Sequence, residues 1–85
     1  MSKEDIARRA ALSTANRHVI SALSQANITG EVDGQFKGDT IIVTAVGDAP
    51  AVQIRDAVSD AVKEMTGVTV KINGRRVVTT FPYGD

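Results

Sequence analysis

The chain of 85 residues contains no cysteine and no tryptophan, and it has a single histidine, His18. Without cysteine there are no disulfides, no thiolate metal ligands and no cysteine nucleophile. His18 is expected on the side of a helix opposite Leu12 and Val19, exposed and without a catalytic companion, which argues against hydrolytic triads and histidine-based metal sites. The chain is therefore expected not to be an enzyme and to bind no cofactor.

The sequence also lacks an excess of charge of either sign, since ten basic side chains balance ten acidic ones. Zero net charge argues against strong general affinity for nucleic acid or for anionic membranes. No apolar run approaches the roughly 20 residues that a membrane span needs, and residues 1–5 do not lead into a signal-peptide core. A cytoplasmic protein without a membrane span is the expectation.

Acidic side chains cluster near turns but do not form a recognisable metal-binding motif. Their spacing matches no calcium loop, and such glycine–acid clusters usually mark turns. No metal site is expected from these four residues: Glu31, Asp33, Asp39 and Asp48.

Residues 3–26 are predicted to form a first helix, because the segment has many alanines and no glycine or proline. Ser2 can cap it. Leu12, Val19 and the nearby alanines form an apolar stripe, and Ile6 and Ile20 lie beside that stripe. This broad apolar surface is a first indication of an oligomer contact, although an ordinary core helix with ragged edges fits the same pattern.

The segment 28–46 changes to period two and predicts a hairpin, with the connection at 37–39 or, alternatively, at 33–34. The run 41–46 is apolar on both faces, which suits a central strand. Asp48 is predicted to cap a second helix that begins near Pro50 and ends at Gly67. Its apolar positions follow helical spacing: Ile54, Val58, Ala61, Val62 and Met65.

Asn73-Gly74 predicts a second hairpin with a type I′ turn, which places Arg75 opposite Ile72 and Val77 opposite Val70. In that register Arg76 shares the outward face with Lys71. Residues 81–85 are expected to form a loose tail that leaves the sheet at Pro82.

These elements predict an α+β fold with the order α-β-β-α-β-β, in one domain that spans residues 1–85. The expected architecture is a two-layer sandwich, with both helices on one face of a mixed sheet of three or four strands. Strands 41–46 and 68–72 would form a right-handed crossover if they are parallel, and strand 75–81 is expected to offer an open edge.

Basic side chains provide the alternative to a pure interaction surface. Possible contacts with an anion or a nucleic acid are Lys71, Arg75, Arg76, Arg8 and Arg9. The sequence has no loop with two glycines three residues apart and no aromatic residue on an expected central strand, so two common RNA-binding modules do not fit. A solvated hairpin tip is the simpler interpretation, with arginines that discourage unwanted strand pairing.

Residues 46–77, VGDAPAVQIRDAVSDAVKEMTGVTVKINGRRV, resemble the second half of the alkaline-shock, or envelope-stress-response, proteins of Gram-positive bacteria. The likeness lies in a strand, a turn with Pro50, an amphipathic helix that ends with Met65-Thr66-Gly67, and a valine-rich strand. Residues in matching places also include Val46, Val58, Val62 and Val70. The resemblance implies a non-enzymatic, self-associating bacterial protein that works near the cell envelope. The order α-β-β-α-β is also similar to that of small modules that build rings or scaffolds in envelope machinery.

A non-catalytic interaction or assembly module, in the form of a homo-oligomer, is the leading functional hypothesis. It rests on the missing catalytic chemistry, the small core without disulfides and the broad apolar surface of the first helix. The candidate self-association residues are Ile6, Ile20 and Val78. A weak nucleic-acid or anion-binding module is the alternative.

Overall fold

A computed structural model describes residues 2–83 of the chain. Two helices and four strands follow in the order α-β-β-α-β-β, which confirms the predicted order and the α+β class. They are α1 (Lys3–Gln25), β1 (Gly30–Lys37), β2 (Thr40–Gly47), α2 (Ala51–Val62), β3 (Thr69–Asn73) and β4 (Arg76–Pro82). The first hairpin turns at Gly38-Asp39. Of the two connections that the sequence allowed, 37–39 is therefore confirmed and 33–34 is not.

The four strands lie in the order β1-β2-β4-β3, and every neighbouring pair is antiparallel. The expected mixed sheet required β2 and β3 to pair as parallel neighbours. These two strands do run in the same direction, but β4 lies between them and pairs antiparallel with both, so the sheet has no parallel pair. Val77 and Phe81 of β4 are buried, whereas β3 is largely exposed. Placing β4 inside the sheet therefore buries more apolar surface. The expectation of an open edge at 75–81 is wrong, since the edge strands are β1 and β3.

Both helices pack on the same face of the sheet, as predicted. On β2 and β4 the side chains that face the helices are paired across the strands, with Ile41 opposite Phe81 and Ala45 opposite Val77. The helices contribute their own buried stripes to this core. They are Ala15, Val19, Ala22 and Leu23 from α1 and Ile54, Val58 and Val62 from α2. Met65 of the predicted stripe lies beyond the end of α2 and is exposed.

The turn of the second hairpin differs from its prediction by one residue. Asn73 pairs with Arg76 and Ile72 with Val77, so the two-residue loop is Gly74-Arg75. Only Gly74 has a positive φ, +66°, which is the pattern of a type II′ turn with glycine at the first central position. The predicted partners of Arg75 and Val77 were therefore wrong.

Asp48 does not cap α2, because the N-cap residue is Pro50 and no side chain bonds to the first turn. Instead the Asp48 Oδ1 atom accepts a hydrogen bond of 3.1 Å from the Thr29 N–H. The Asp48 N–H in turn donates to the Thr29 carbonyl oxygen at 2.9 Å. The residue thus fastens the start of β1 to the end of β2.

The predicted loose tail is ordered structure as far as Tyr83. Phe81 is only 4% exposed, and Pro82 is the last residue of β4. The Tyr83 N–H donates a 2.8 Å hydrogen bond to the Asp39 carbonyl oxygen, and the Tyr83 ring meets Phe36 edge-on at 5.2 Å. Residues 84 and 85 of the predicted tail lie outside the described part of the chain.

Candidate interaction surface

The basic residues of the second hairpin lie at one end of the sheet. Arg75 occupies the turn, and Arg76 begins β4. Lys71 pairs directly with Val78, two residues beyond Arg76, so Lys71 and Arg76 share the face of the sheet that no helix covers. The predicted common face of these two side chains is confirmed by the structure, although the register differs from the expected one.

Arg76 does not stand in a basic environment. It lines a shallow concavity of about 710 Å³ on the uncovered face together with Glu31 and Asp33 of β1. These two carboxylates would oppose a phosphate group that approached the arginine. The concavity therefore combines charges of both signs.

Arg8 and Arg9 lie near the opposite end of the sheet. The Arg8 guanidinium stacks on the Phe36 ring at 4.0 Å and lies 5.8 Å from the Tyr83 ring. The distance between the two basic groups can be read along β2. Ile41 is paired with Phe36 at one end, and Val46 lines the same concavity as Arg76 at the other. Five residues of strand span roughly 17 Å. The structure thus separates the two basic groups that the nucleic-acid hypothesis combined.

The aromatic side chains serve the core and not the uncovered face. Phe81 lies on a central strand, contrary to the sequence expectation, but its side chain points toward the helices. His18 is half-buried and stacks on Phe81 with ring centroids 6.2 Å apart, so the predicted exposed histidine was wrong. On the helix His18 is about 100° from Val19 and not opposite to it.

The three candidate self-association residues belong to two different surfaces. Ile6 is 56% exposed and Ile20 is 50% exposed, as their position beside the apolar stripe predicted. Both are on α1 and, fourteen residues apart, lie within about 40° of each other around the helix. Val78 is half-buried on the uncovered face of the sheet, across the domain from α1. A single surface cannot contain all three.

Ile20 borders the edge strand β1, and Ile6 lies along the same line of α1. Ile20 lines a depression of about 370 Å³ with Val32 and Gly30 of β1, and near the other end Arg9 lines a second depression with Phe36. We call the outer surface of α1 at Ile6, Ser13 and Ile20, together with the unpaired edge of β1, the α1–β1 side. It combines exposed apolar groups with free backbone hydrogen-bonding groups.

Sequence reasoning missed β1 as an edge strand. Its sequence, GEVDGQFK, contains two glycines and three charged residues in eight positions, which is typical of a strand at the edge of a sheet. The composition of β1 was the signal that pointed to the right strand.

Comparisons with known protein families, characterised proteins and solved structures give no match for this chain. The resemblance of residues 46–77 to the alkaline-shock proteins stays a prediction. Within residues 2–83 no helix is both long and apolar enough to cross a membrane. In the same range, no three side chains of the metal-ligating types converge on one point.

Proposed function

We propose that this chain is a non-catalytic protein interaction module that associates with copies of itself through the α1–β1 side. The observation that carries the proposal is that Ile6 and Ile20, both at least half exposed, lie along one line of α1, the helix that packs on the edge strand β1. Exposed strand edges and apolar helix surfaces are the features by which small α/β domains bind protein partners.

The size of the core supports the same proposal. Only thirteen hydrophobic side chains are buried in the described residues, and no cysteine reinforces them. A domain of this size buries a smaller fraction of its surface on folding than a larger domain does, so its stability is marginal when it is alone. Association would cover further apolar surface and add to the free energy of unfolding.

The nucleic-acid alternative has less support. The two basic groups lie at opposite ends of the sheet, and Arg76 has Glu31 and Asp33 as neighbours. A phosphate backbone needs several cations along one surface to gain affinity from counterion release. The distribution of charge favours a protein partner.

The test is molar mass by light scattering on a size-exclusion column, over about two decades of concentration. The parent chain is expected to approach at least twice its monomer mass of 9.0 kDa at high concentration. A double variant, Ile6→Asp with Ile20→Asp, should remain a monomer, because it places carboxylates on the α1–β1 side.

Val52→Asp is the matched control, since Val52 is 51% exposed but belongs to α2. It is expected to leave the association of the parent chain unchanged. A parent chain that stays monomeric at every concentration would contradict the proposal. Equal loss of association in the control and the double variant would contradict the assigned surface.

A further inference from the structure

The proposed self-association has a specific geometry, and we infer that two copies pair their β1 strands antiparallel about a twofold axis at Gly34. The inference rests on the proposed function and names its partner as a second copy of this chain. Two four-stranded sheets would then join into one continuous sheet of eight strands. A contact of this kind is isologous, because each copy contributes the same surface.

The backbone of β1 is suited to this pairing. Lys37 and Thr40 close a two-residue turn and therefore form a hydrogen-bonded pair. Because such pairs alternate along an antiparallel strand, the backbone N–H and C=O groups of the odd-numbered residues of β1 point to β2. The groups of Val32, Gly34 and Phe36 consequently point outward. With the axis at Gly34, Gly34 meets its own copy and Val32 meets Phe36 of the second copy, each as a hydrogen-bonded pair.

The side chains of β1 are self-complementary in the same register. Glu31 and Lys37 lie three residues on either side of Gly34, so Glu31 of each copy faces Lys37 of the other. An axis one residue earlier would place two Asp33 carboxylates opposite each other. An axis one residue later would place Glu31 opposite Asp39 of the turn. Like charges directly opposite are destabilising, so only the axis at Gly34 avoids both conflicts.

The helix α1 provides an independent indication of the same axis. Ile6, Ser13 and Ile20 are spaced at seven residues and therefore lie along one line of the helix. The α1 side chains nearest to Gly34 are Leu12 and Asn16, so Gly34 lies level with residues 12–16.

An axis at Gly34 thus passes close to Ser13, the midpoint between the two isoleucines. The α1 helices of the two copies would run antiparallel beside the axis. Ile6 of each copy would then lie against Ile20 of the other, and the two small Ser13 side chains would meet at the centre. Arg9 would lie level with Arg17 of the other copy, on the two flanks of this contact, so this pair opposes the association that the isoleucines favour. Within a single chain both isoleucine side chains are at least half exposed to solvent.

Charge exchange on β1 tests the register. Glu31→Lys alone and Lys37→Glu alone are each expected to raise the dissociation constant by about tenfold or more, since each variant creates two like-charge contacts per dimer. An equimolar mixture of the two variants should associate as tightly as the parent, because every mixed dimer regains both opposite-charge pairs. The double variant Glu31→Lys with Lys37→Glu should also recover.

A single introduced cysteine tests the helix contact, since the chain has none of its own. Ser13→Cys is expected to form a disulfide-linked dimer under mild oxidation, because the axis brings the two copies of residue 13 together. Ser21→Cys is the matched control: Ser21 is also exposed, but it lies about 80° around α1 from Ser13. It should cross-link far more slowly.

The outcomes separate this inference from the proposed function. If the parent chain associates but the mixture of charge variants does not recover, the register is wrong while self-association stands. Equal cross-linking of Ser13→Cys and Ser21→Cys would overturn the helix contact in the same way. A parent chain that never associates, with no cross-link at Ser13→Cys, would overturn both proposals.

Discussion

Asn16 on α1 packs against Gly34 on β1 so closely that the Asn16 Oδ1 atom occupies the space a Cβ at position 34 would need. The glycine thus allows α1 to lie directly on the edge strand. The same oxygen is buried and has no hydrogen-bond partner among the described residues. The close packing of α1 on β1 therefore leaves the amide oxygen of Asn16 without a hydrogen bond, which is destabilising.

Gly34→Ala is expected to lower the free energy of unfolding by about 1 kcal/mol or less, because the new methyl group meets the end of the Asn16 side chain, which can turn away from it. Urea denaturation measures the change. Asn16→Ala removes both the collision and the unpaired oxygen, so in the double variant most of the loss should be recovered. An additive double-mutant cycle would contradict the direct contact between the two residues.

Thr79→Val is expected to stabilise the protein by about 1 kcal/mol. Thr79 is 1% exposed in the core, and its hydroxyl has no hydrogen-bond partner within residues 2–83. Valine has the same shape and needs no partner. Thr80→Val is the control, because Thr80 lies on the uncovered face, and a change below about 0.5 kcal/mol is expected there. Equal effects at both positions would indicate a general preference of β4 for valine.

Substitutions at the second hairpin test its type II′ turn against the type I′ turn that the sequence predicted. Gly74→Ala should cost about 1 kcal/mol or more, because residue 74 has a φ of +66°. Asn73→Thr should change stability by less than about 0.5 kcal/mol, because Asn73 is a strand residue paired with Arg76. Thermal unfolding of both variants is the measurement. A large loss for Asn73→Thr would instead support the type I′ turn that the sequence predicted.

Val58→Asp is expected to unfold the domain, because Val58 is fully buried at the centre of α2 and a carboxylate there has no partner. Circular dichroism would register the loss of helix. Val52→Asp places the same charge on an exposed position of the same helix and should keep the parent spectrum. A folded Val58→Asp variant would be incompatible with α2 as a core helix.

Several parts of the fold were predictable because they depend on nearby residues. The four-residue spacing of Ile54, Val58 and Val62 located α2, and its buried side follows that spacing. The run 41–46 indicated a central strand, and β2 does lie between β1 and β4. Ile6 and Ile20 were predicted beside the main stripe of α1, where the structure places them. Each of these features depends on periodicity within one element.

Other features depend on residues far apart in the chain and were missed. The stacking of His18 on Phe81 joins residues 63 positions apart, so the pattern of α1 alone could not indicate it. Asp48 looked like a helix cap because it precedes Pro50, yet its carboxylate accepts a hydrogen bond from Thr29, which lies 19 residues earlier, just before β1. In both cases a distant neighbour competes with the local partner.

The sequence by itself determined the order of elements, the balance of charge, the missing cysteine chemistry and the exposed isoleucines of α1. Only the tertiary structure decided which strands lie at the edges and which basic residues share a surface. The physical reason is that propensity and periodicity act within a helix or strand. The order of strands is instead set by the pairing that buries the most apolar surface. That pairing places β4 inside the sheet and leaves β1, with Glu31 and Lys37 on either side of Gly34, at its edge.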